Sequence, residues 1–170
     1  DLLYYFMRKS QELLNSEGIC GLIVARYFLK AKFAEGLREY LLENAQILKI
    51  IDFGNFQVFP GVDVLANIVL FKGEHVDNYE VNVTSLIDDR KSSASEVEAG
   101  ISRVGSEVFA KASIPVERFK SGSWELVDAN TLRIKQTMEA GSRLLEDHFQ
   151  VVQSMQTGLN DAFVVDRACH

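Results

Sequence analysis

Among the residues whose chemistry could be used, Phe59 stands out. It lies in Gln57-Val58-Phe59-Pro60-Gly61-Val62, a loop slung between two apolar strands, and Pro60 and Gly61 stiffen and turn the chain directly behind it. An aromatic displayed on a loop can stack on a flat ligand. Open α/β sheets gather their ligands in loops at the carboxyl ends of strands, which is where this loop falls. The structural alternative is a phenylalanine tucked under its own loop. Other chemistry is scarce. His75, His148 and His170 are scattered and lack the close spacing of a metal site. No Gly-x-Ser-x-Gly elbow, Walker loop or Gly-x-Gly-x-x-Gly occurs. Ile51-Asp52-Phe53-Gly54 imitates a kinase-type metal-binding triplet, but no matching catalytic loop precedes it, so it reads as a strand ending at a glycine.

The elements that must position Phe59 follow from the apolar pattern. Ile19 to Ala25 is a short continuous apolar run, the signature of a strand covered on both faces. Before it, Leu2, Leu3, Phe6, Ser10, Leu13 and Leu14 share one helical face, with Asp1 at the amino end, which places Phe6 in a buried stripe. Phe33, Leu37, Tyr40 and Leu41 mark a second amphipathic helix ending near Glu43-Asn44. Strands are predicted at 47–53, 64–71 and 79–87. The helix-containing connection between the first two strands suits a parallel crossover, whereas the short 54–62 loop makes the second and third antiparallel. Asp88 to Gly100 reads as a solvated loop or weak helix, and the mixed stretch from Ile101 to Trp124 yields no element. Asp128 is placed as the N-cap of a helix running to about Ala140. Beyond it, 149–155 alternates, 157–161 is a turn and 162–165 is strand-like. The expected class is α/β: parallel strands with one antiparallel strand near the edge, then a mixed α+β segment. The expected organisation is 1–76 as one half-domain, 77–127 as a connection and 128–170 as the start of another domain.

Composition narrows the function classes. The chain has 170 residues, 47% of them hydrophobic, and a formal net charge of −6, so no strong electrostatic footprint for nucleic acid is visible. Cys20 and Cys169 are too far apart to suggest a disulfide framework or zinc site. The run 19–25 is too short to span a membrane, and no basic-then-apolar leader opens the sequence, so the expected location is the cytoplasm. Both ends look cut, as though this were a piece of a larger protein. The strand 19–25 then has an unpaired apolar edge, which a missing segment or another copy of the chain would cover.

The order of residues over 1–72 resembles the adenine-specific DNA methyltransferases of restriction-modification systems, the TaqI-like group in particular. The resemblance is carried by Leu3-Tyr4-Tyr5-Phe6, Leu13-Leu14, Glu17-Gly18, Ile23-Val24 and Phe28-Leu29. It continues through Leu37-Arg38-Glu39-Tyr40-Leu41-Leu42, Ile50-Ile51-Asp52-Phe53-Gly54, Val58-Phe59 and Ile68-Val69-Leu70-Phe71. Gln156-Thr157-Gly158-Leu159-Asn160-Asp161-Ala162-Phe163 is similar to the opening of that group's target-recognition domain. The resemblance implies that Phe6 borders the adenine ring of S-adenosylmethionine and that Phe59 packs against a flipped target adenine. It also implies that Thr157, Gly158 and Asn160 begin the part that reads double-stranded DNA.

Two hallmarks of that family are missing: the glycine-rich cofactor loop and the Asn/Asp-Pro-Pro-Tyr/Phe motif that holds the target amine. Both would precede Asp1. The resemblance therefore implies an inactive fragment, with no catalytic residue of its own, of an S-adenosylmethionine-dependent enzyme. The family's usual Pro-Gly-Gly has become Asn15-Ser16-Glu17-Gly18, and Ala25-Arg26-Tyr27 replaces its usual link after the strand. A competing expectation is a non-catalytic interaction module that pairs through the strand edge at 19–25. A third is a DNA-recognition subunit without catalysis.

Overall fold

The computed structural model describes residues 1–15, 17–87, 92–102, 107–120, 122–143, 145–150 and 152. Asp1 caps the first helix, α1 (Leu2–Glu12), its Oδ1 accepting from Leu3 N at 3.0 Å. The apolar run then forms β1 (Ile19–Ala25), followed by 3₁₀ turns at Arg26–Leu29 and Lys32–Ala34. Next come α2 (Glu35–Asn44), β2 (Gln46–Asp52), β3 (Ala66–Lys72) and β4 (Glu80–Leu86). After them lie α3 (Ala94–Ser102), β5 (Phe109–Pro115), a 3₁₀ turn at Val116–Lys120 and α4 (Ala129–Glu139).

The strands form one mixed sheet in the order β1-β3-β2-β4-β5. Consecutive pairing does hold for β2 and β3, which are antiparallel as the short loop requires. The crossover from β1 does not deliver β2 as its neighbour. Instead β3 inserts between them, antiparallel to both. β4 joins β2 in parallel and β5 joins β4 antiparallel, so the sheet has a second antiparallel strand, drawn from the stretch without a sequence signal.

Two compact units are present, Asp1–Leu132 and Arg133–His170. In the first, the main core lies on the α1/α2 face and contains Met7, Phe28, Leu41, Ile50, Val69, Phe71 and Trp124. A smaller cluster of Ile51, Phe53, Leu86, Val97 and Phe109 lies on the opposite face, with Val97 supplied by α3. Full burial of each large side chain stabilises by about 1.5–3 kcal/mol. In the second unit, α4 continues from Arg133, and Lys135 and Glu139 pair along it at 3.8 Å.

Three expectations are corrected. α1 buries Met7 and Gln11, with Leu3, Tyr4 and Leu14 partly covered, while Leu2, Phe6 and Leu13 face solvent. Gln11 wins its buried place by hydrogen bonding: its Nε2 donates to Asn44 O at 2.7 Å and its Oε1 accepts from Tyr40 Oη at 2.6 Å. β1 is covered on one face only, leaving Ile19 and Ile23 exposed. Phe33 is not on the buried face of α2; it precedes that helix and is 91% exposed.

Tyr79 closes an irregularity in β2, where the register with β3 shifts between Ile47 and Lys49. Its hydroxyl oxygen accepts from Ile47 N at 2.9 Å, and burial raises its pKa above the usual phenol value. A phenol held neutral in the folded state stabilises fully below its unfolded pKa of about 10, and that stability is lost as pH rises through the higher folded value. Urea unfolding across this alkaline window is therefore expected to show a fall in stability that Tyr79→Phe removes. An identical fall in the variant would contradict this role.

Candidate functional site

β1, β2 and β4 run in the same direction, so their carboxyl ends share one edge with the start of β3. Arg26 follows β1 directly and Asp52 ends β2. They pair across the start of β3, Arg26 Nε to Asp52 Oδ1 at 2.9 Å and Nη2 to Oδ2 at 3.1 Å. Two-point contact of this kind fixes geometry as well as charge. Asp52 is buried, and its Oδ1 also accepts from Gly54 N at 3.0 Å. The Asp-Phe-Gly lookalike is thus a strand terminus: Asp52 braces Arg26, Phe53 fills the core and Gly54 turns at φ 60°. Asn67, the β3 partner of both Val24 and Asp52, is fully buried, and neither of its side-chain amide atoms has a hydrogen-bond partner among the described residues.

Beside the Arg26–Asp52 pair opens a cavity of about 440 Å³, whose walls include Tyr27, Lys30, Asp63 and Trp124. That volume is within the range of sites for small organic molecules. The amino end of α1 reaches the same edge, since Tyr27 Oη donates to Asp1 Oδ2 and the rings of Tyr4 and Tyr27 meet at 6.4 Å.

The 53–65 loop leaves β2 at this edge. Phe56 and Val58 pack against the smaller core cluster and anchor it. Beyond that anchor the chain turns on itself: Val62 N donates to Phe59 O at 3.2 Å, and Gly61 takes φ 76°. Phe59 is left 45% exposed, flanked by the equally open Val62 and Val64. It is displayed on its loop and belongs to neither core cluster. Phe6 projects from the solvent side of α1, contrary to a place in the buried stripe, and neither phenylalanine lines the cavity. Thr157, Gly158 and Asn160 lie outside the described residues.

Sequence reasoning did not find Arg38. This α2 arginine is 3% exposed, and its Nη1 donates to Phe28 O at 2.8 Å and Ala31 O at 2.9 Å. Its Nε donates to Gly122 O at 2.5 Å. Burial pulls its proton affinity below the ordinary guanidinium range. Arg38 thereby clasps the turn after β1 to the segment around Gly122. Trp124 closes the same clasp, its backbone N donating to Leu29 O at 2.7 Å while its ring packs edge-on against Phe28 and Phe119. The available signal was positional, since Arg38 falls between Leu37 and Leu41 on the buried face of α2.

Residues 1–59 match the family model of the Eco57I restriction-modification methylase. Relatives of this chain include type II methyltransferases of restriction-modification systems. The Type II methyltransferase M.HincII of Haemophilus influenzae is 31% identical over 137 residues, covering 79% of this chain and 24% of the relative. The Type II restriction enzyme and methyltransferase RM.Eco57I of Escherichia coli is 30% identical over 79 residues, 46% of this chain and 8% of the relative. The fold is also that of a modification subunit of a putative type I restriction enzyme from Vibrio vulnificus YJ016. That likeness has a TM-score of 0.53 at 16% identity and covers 79% of this chain and 33% of the other. The chain thus spans about a quarter of the length of M.HincII. No helix among the described residues is long and apolar enough to cross a membrane.

Proposed function

We propose that this chain is the carboxyl-terminal half of the catalytic domain of a site-specific DNA adenine methyltransferase, together with the start of its TaqI-like target-recognition domain. The parent enzyme transfers a methyl group from S-adenosylmethionine to the exocyclic amino group of an adenine flipped out of double-stranded DNA, in a cytoplasmic restriction-modification or phage-defence system. The observation that carries this reading is the open display of Phe59 at the carboxyl edge of a methylase-type sheet. Flipping a base costs a few kcal/mol, and base–aromatic stacking returns about 1–3 kcal/mol. Phe59 offsets much of the cost by packing on the extruded adenine. Phe6, open on α1, borders the adenine ring of the cofactor, while Thr157, Gly158 and Asn160 open the DNA-reading domain. This chain supplies stacking surface and scaffold. The groups that grip the methyl donor and the target amine come from a glycine-rich loop and an Asn/Asp-Pro-Pro-Tyr/Phe motif encoded upstream of Asp1.

The 170-residue chain alone is accordingly expected to transfer no methyl group to plasmid DNA. Measurable transfer by these residues would sink the division of labour. So would an upstream coding sequence lacking both motifs.

One observation favours a second reading, a non-catalytic module that self-associates. β1 hydrogen-bonds to β3 alone, and its other edge, beside exposed Ile19 and Ile23, has no strand partner among the described residues. Such an edge is a template for another strand. The isolated chain is expected to sediment as a concentration-dependent dimer, and Ile23→Lys to return it to monomer. Strictly monomeric sedimentation of the unmodified chain at high concentration would exclude pairing through 19–25.

A further inference from the structure

The turn after β1 carries chemistry that the methyl-transfer reading does not use. Arg26-Tyr27-Phe28-Leu29-Lys30-Ala31-Lys32-Phe33 interleaves cations with aromatics in a chain whose net charge is −6. The structure sorts these residues. Phe28 and Leu29 are buried, and Arg26 is committed to Asp52. Lys30 and Lys32 are exposed, and no ion pair engages either of them among the described residues. Phe33 is 91% exposed, more than any other large apolar side chain described, and Tyr27 is 46% exposed.

The backbone beneath them is fixed. The carbonyls of Phe28 and Ala31 are held by Arg38, and that of Leu29 by the Trp124 amide. An exposed phenylalanine on a mobile loop would cost entropy on binding; one on a clamped turn is already ordered. Exposed lysines beside an exposed ring, on a rigid backbone, are the elements that bind a phosphate chain and a stacked base together. Asp63 and Glu125 share the cavity wall with Lys30, and Glu35 follows Lys32 by three residues in the first turn of α2. Lys32 and Phe33 lie beyond the cavity lining.

We propose that this turn is a DNA contact in which Lys30 and Lys32 each meet a backbone phosphate and Phe33 stacks on an unpaired base beside them. The nucleic acid is identified as DNA on the strength of the methyltransferase reading. The contact itself is separate from Phe59 and from methyl transfer.

The test uses the 170-residue chain and a short labelled duplex carrying an extrahelical adenine, with the fully paired duplex and heparin as comparisons. Binding is followed by fluorescence anisotropy over a series of salt concentrations. Lys30→Gln with Lys32→Gln is expected to flatten the plot of log affinity against log salt by about 1.8, from about 0.9 per phosphate contact. Phe33→Ala is expected to leave that slope unchanged and to weaken the extrahelical-base duplex by roughly 5- to 150-fold, with a much smaller loss on the paired duplex. All three positions are exposed, and emission from Trp124 reports whether each variant keeps its fold. The proposal is overturned if the unmodified chain binds neither duplex, or if the double lysine variant keeps the full slope. It is also overturned if Phe33→Ala weakens both duplexes equally, or if heparin binds as well as the extrahelical-base duplex. Failure here leaves the methyltransferase reading standing, because that reading is judged by the methylated product and not by this slope.

Discussion

Phe59→Ala in the intact enzyme is expected to lower methyl transfer to duplex DNA by roughly 5- to 150-fold, the equivalent of the 1–3 kcal/mol that one base–aromatic stack provides. Stability should be nearly unchanged. The ring is 45% exposed and absent from both core clusters, and the loop keeps its anchors at Phe56 and Val58. The loss should shrink on a duplex whose target adenine lies opposite an abasic site, because the base pair no longer has to be broken. A large planar replacement, Phe59→Trp, should retain more activity than Phe59→Leu. If Phe59→Ala instead unfolds the protein and leaves normal activity per folded molecule, the ring is structural and the stacking assignment fails.

The second large effect is on stability. Arg38→Leu removes a buried cation, takes the guanidinium donor from the carbonyls of Phe28 and Gly122, and leaves Ala31 O only its bond from Ala34 N. Each hydrogen bond to a charged group contributes about 1.5–3 kcal/mol, so three sum to at least about 4.5 kcal/mol; relief from burying the cation offsets part of that, and a net loss of about 3 kcal/mol is expected in urea unfolding. Arg38→Lys should recover little of it, since an ammonium group cannot reproduce the planar fork. Trp124 is the only tryptophan and is fully buried against Phe28 and Phe119. Loosening the clasp should therefore shift its emission to longer wavelength before global unfolding. An Arg38→Leu variant with unchanged stability and emission would show that the clasp carries nothing.

Much of the sheet was legible in the sequence because its strands are apolar runs bounded by turns. Ile19 to Ala25 is the clearest, and its observed limits coincide with the apolar run. Orientation was legible as well, since loop length restricts β2 and β3 to an antiparallel pair. Neighbour order was not. Connection length says which way a strand runs but not between which strands it slides, so the insertion of β3 went unseen. β5 escaped because its buried residues, chiefly Phe109 and Ile114, have no period-two spacing. In α1 two apolar stripes overlap, and the sequence could not tell which would be buried. The choice was made by Gln11 and its hydrogen bonds, a polar residue that hydrophobic patterning discounts.

The site divides along the same line. The open placement of Phe59 on its loop was legible because exposure on a short loop is set locally. The Arg26–Asp52 pair and the Arg38 clasp were not, since each joins residues brought together only by the fold. The resemblance over 1–72 pointed to restriction-modification methyltransferases, and the matches to the Eco57I methylase model and to RM.Eco57I agree with that much of it. The specific base modified is a step beyond those matches.

That step has a direct measurement. The protein that carries this chain, incubated with unmodified DNA and radiolabelled S-adenosylmethionine, should place label in DNA, and nucleoside analysis should find it in N6-methyladenine. Label confined to methylcytosine, or no label in DNA at all from a folded protein, would contradict the adenine methyltransferase assignment.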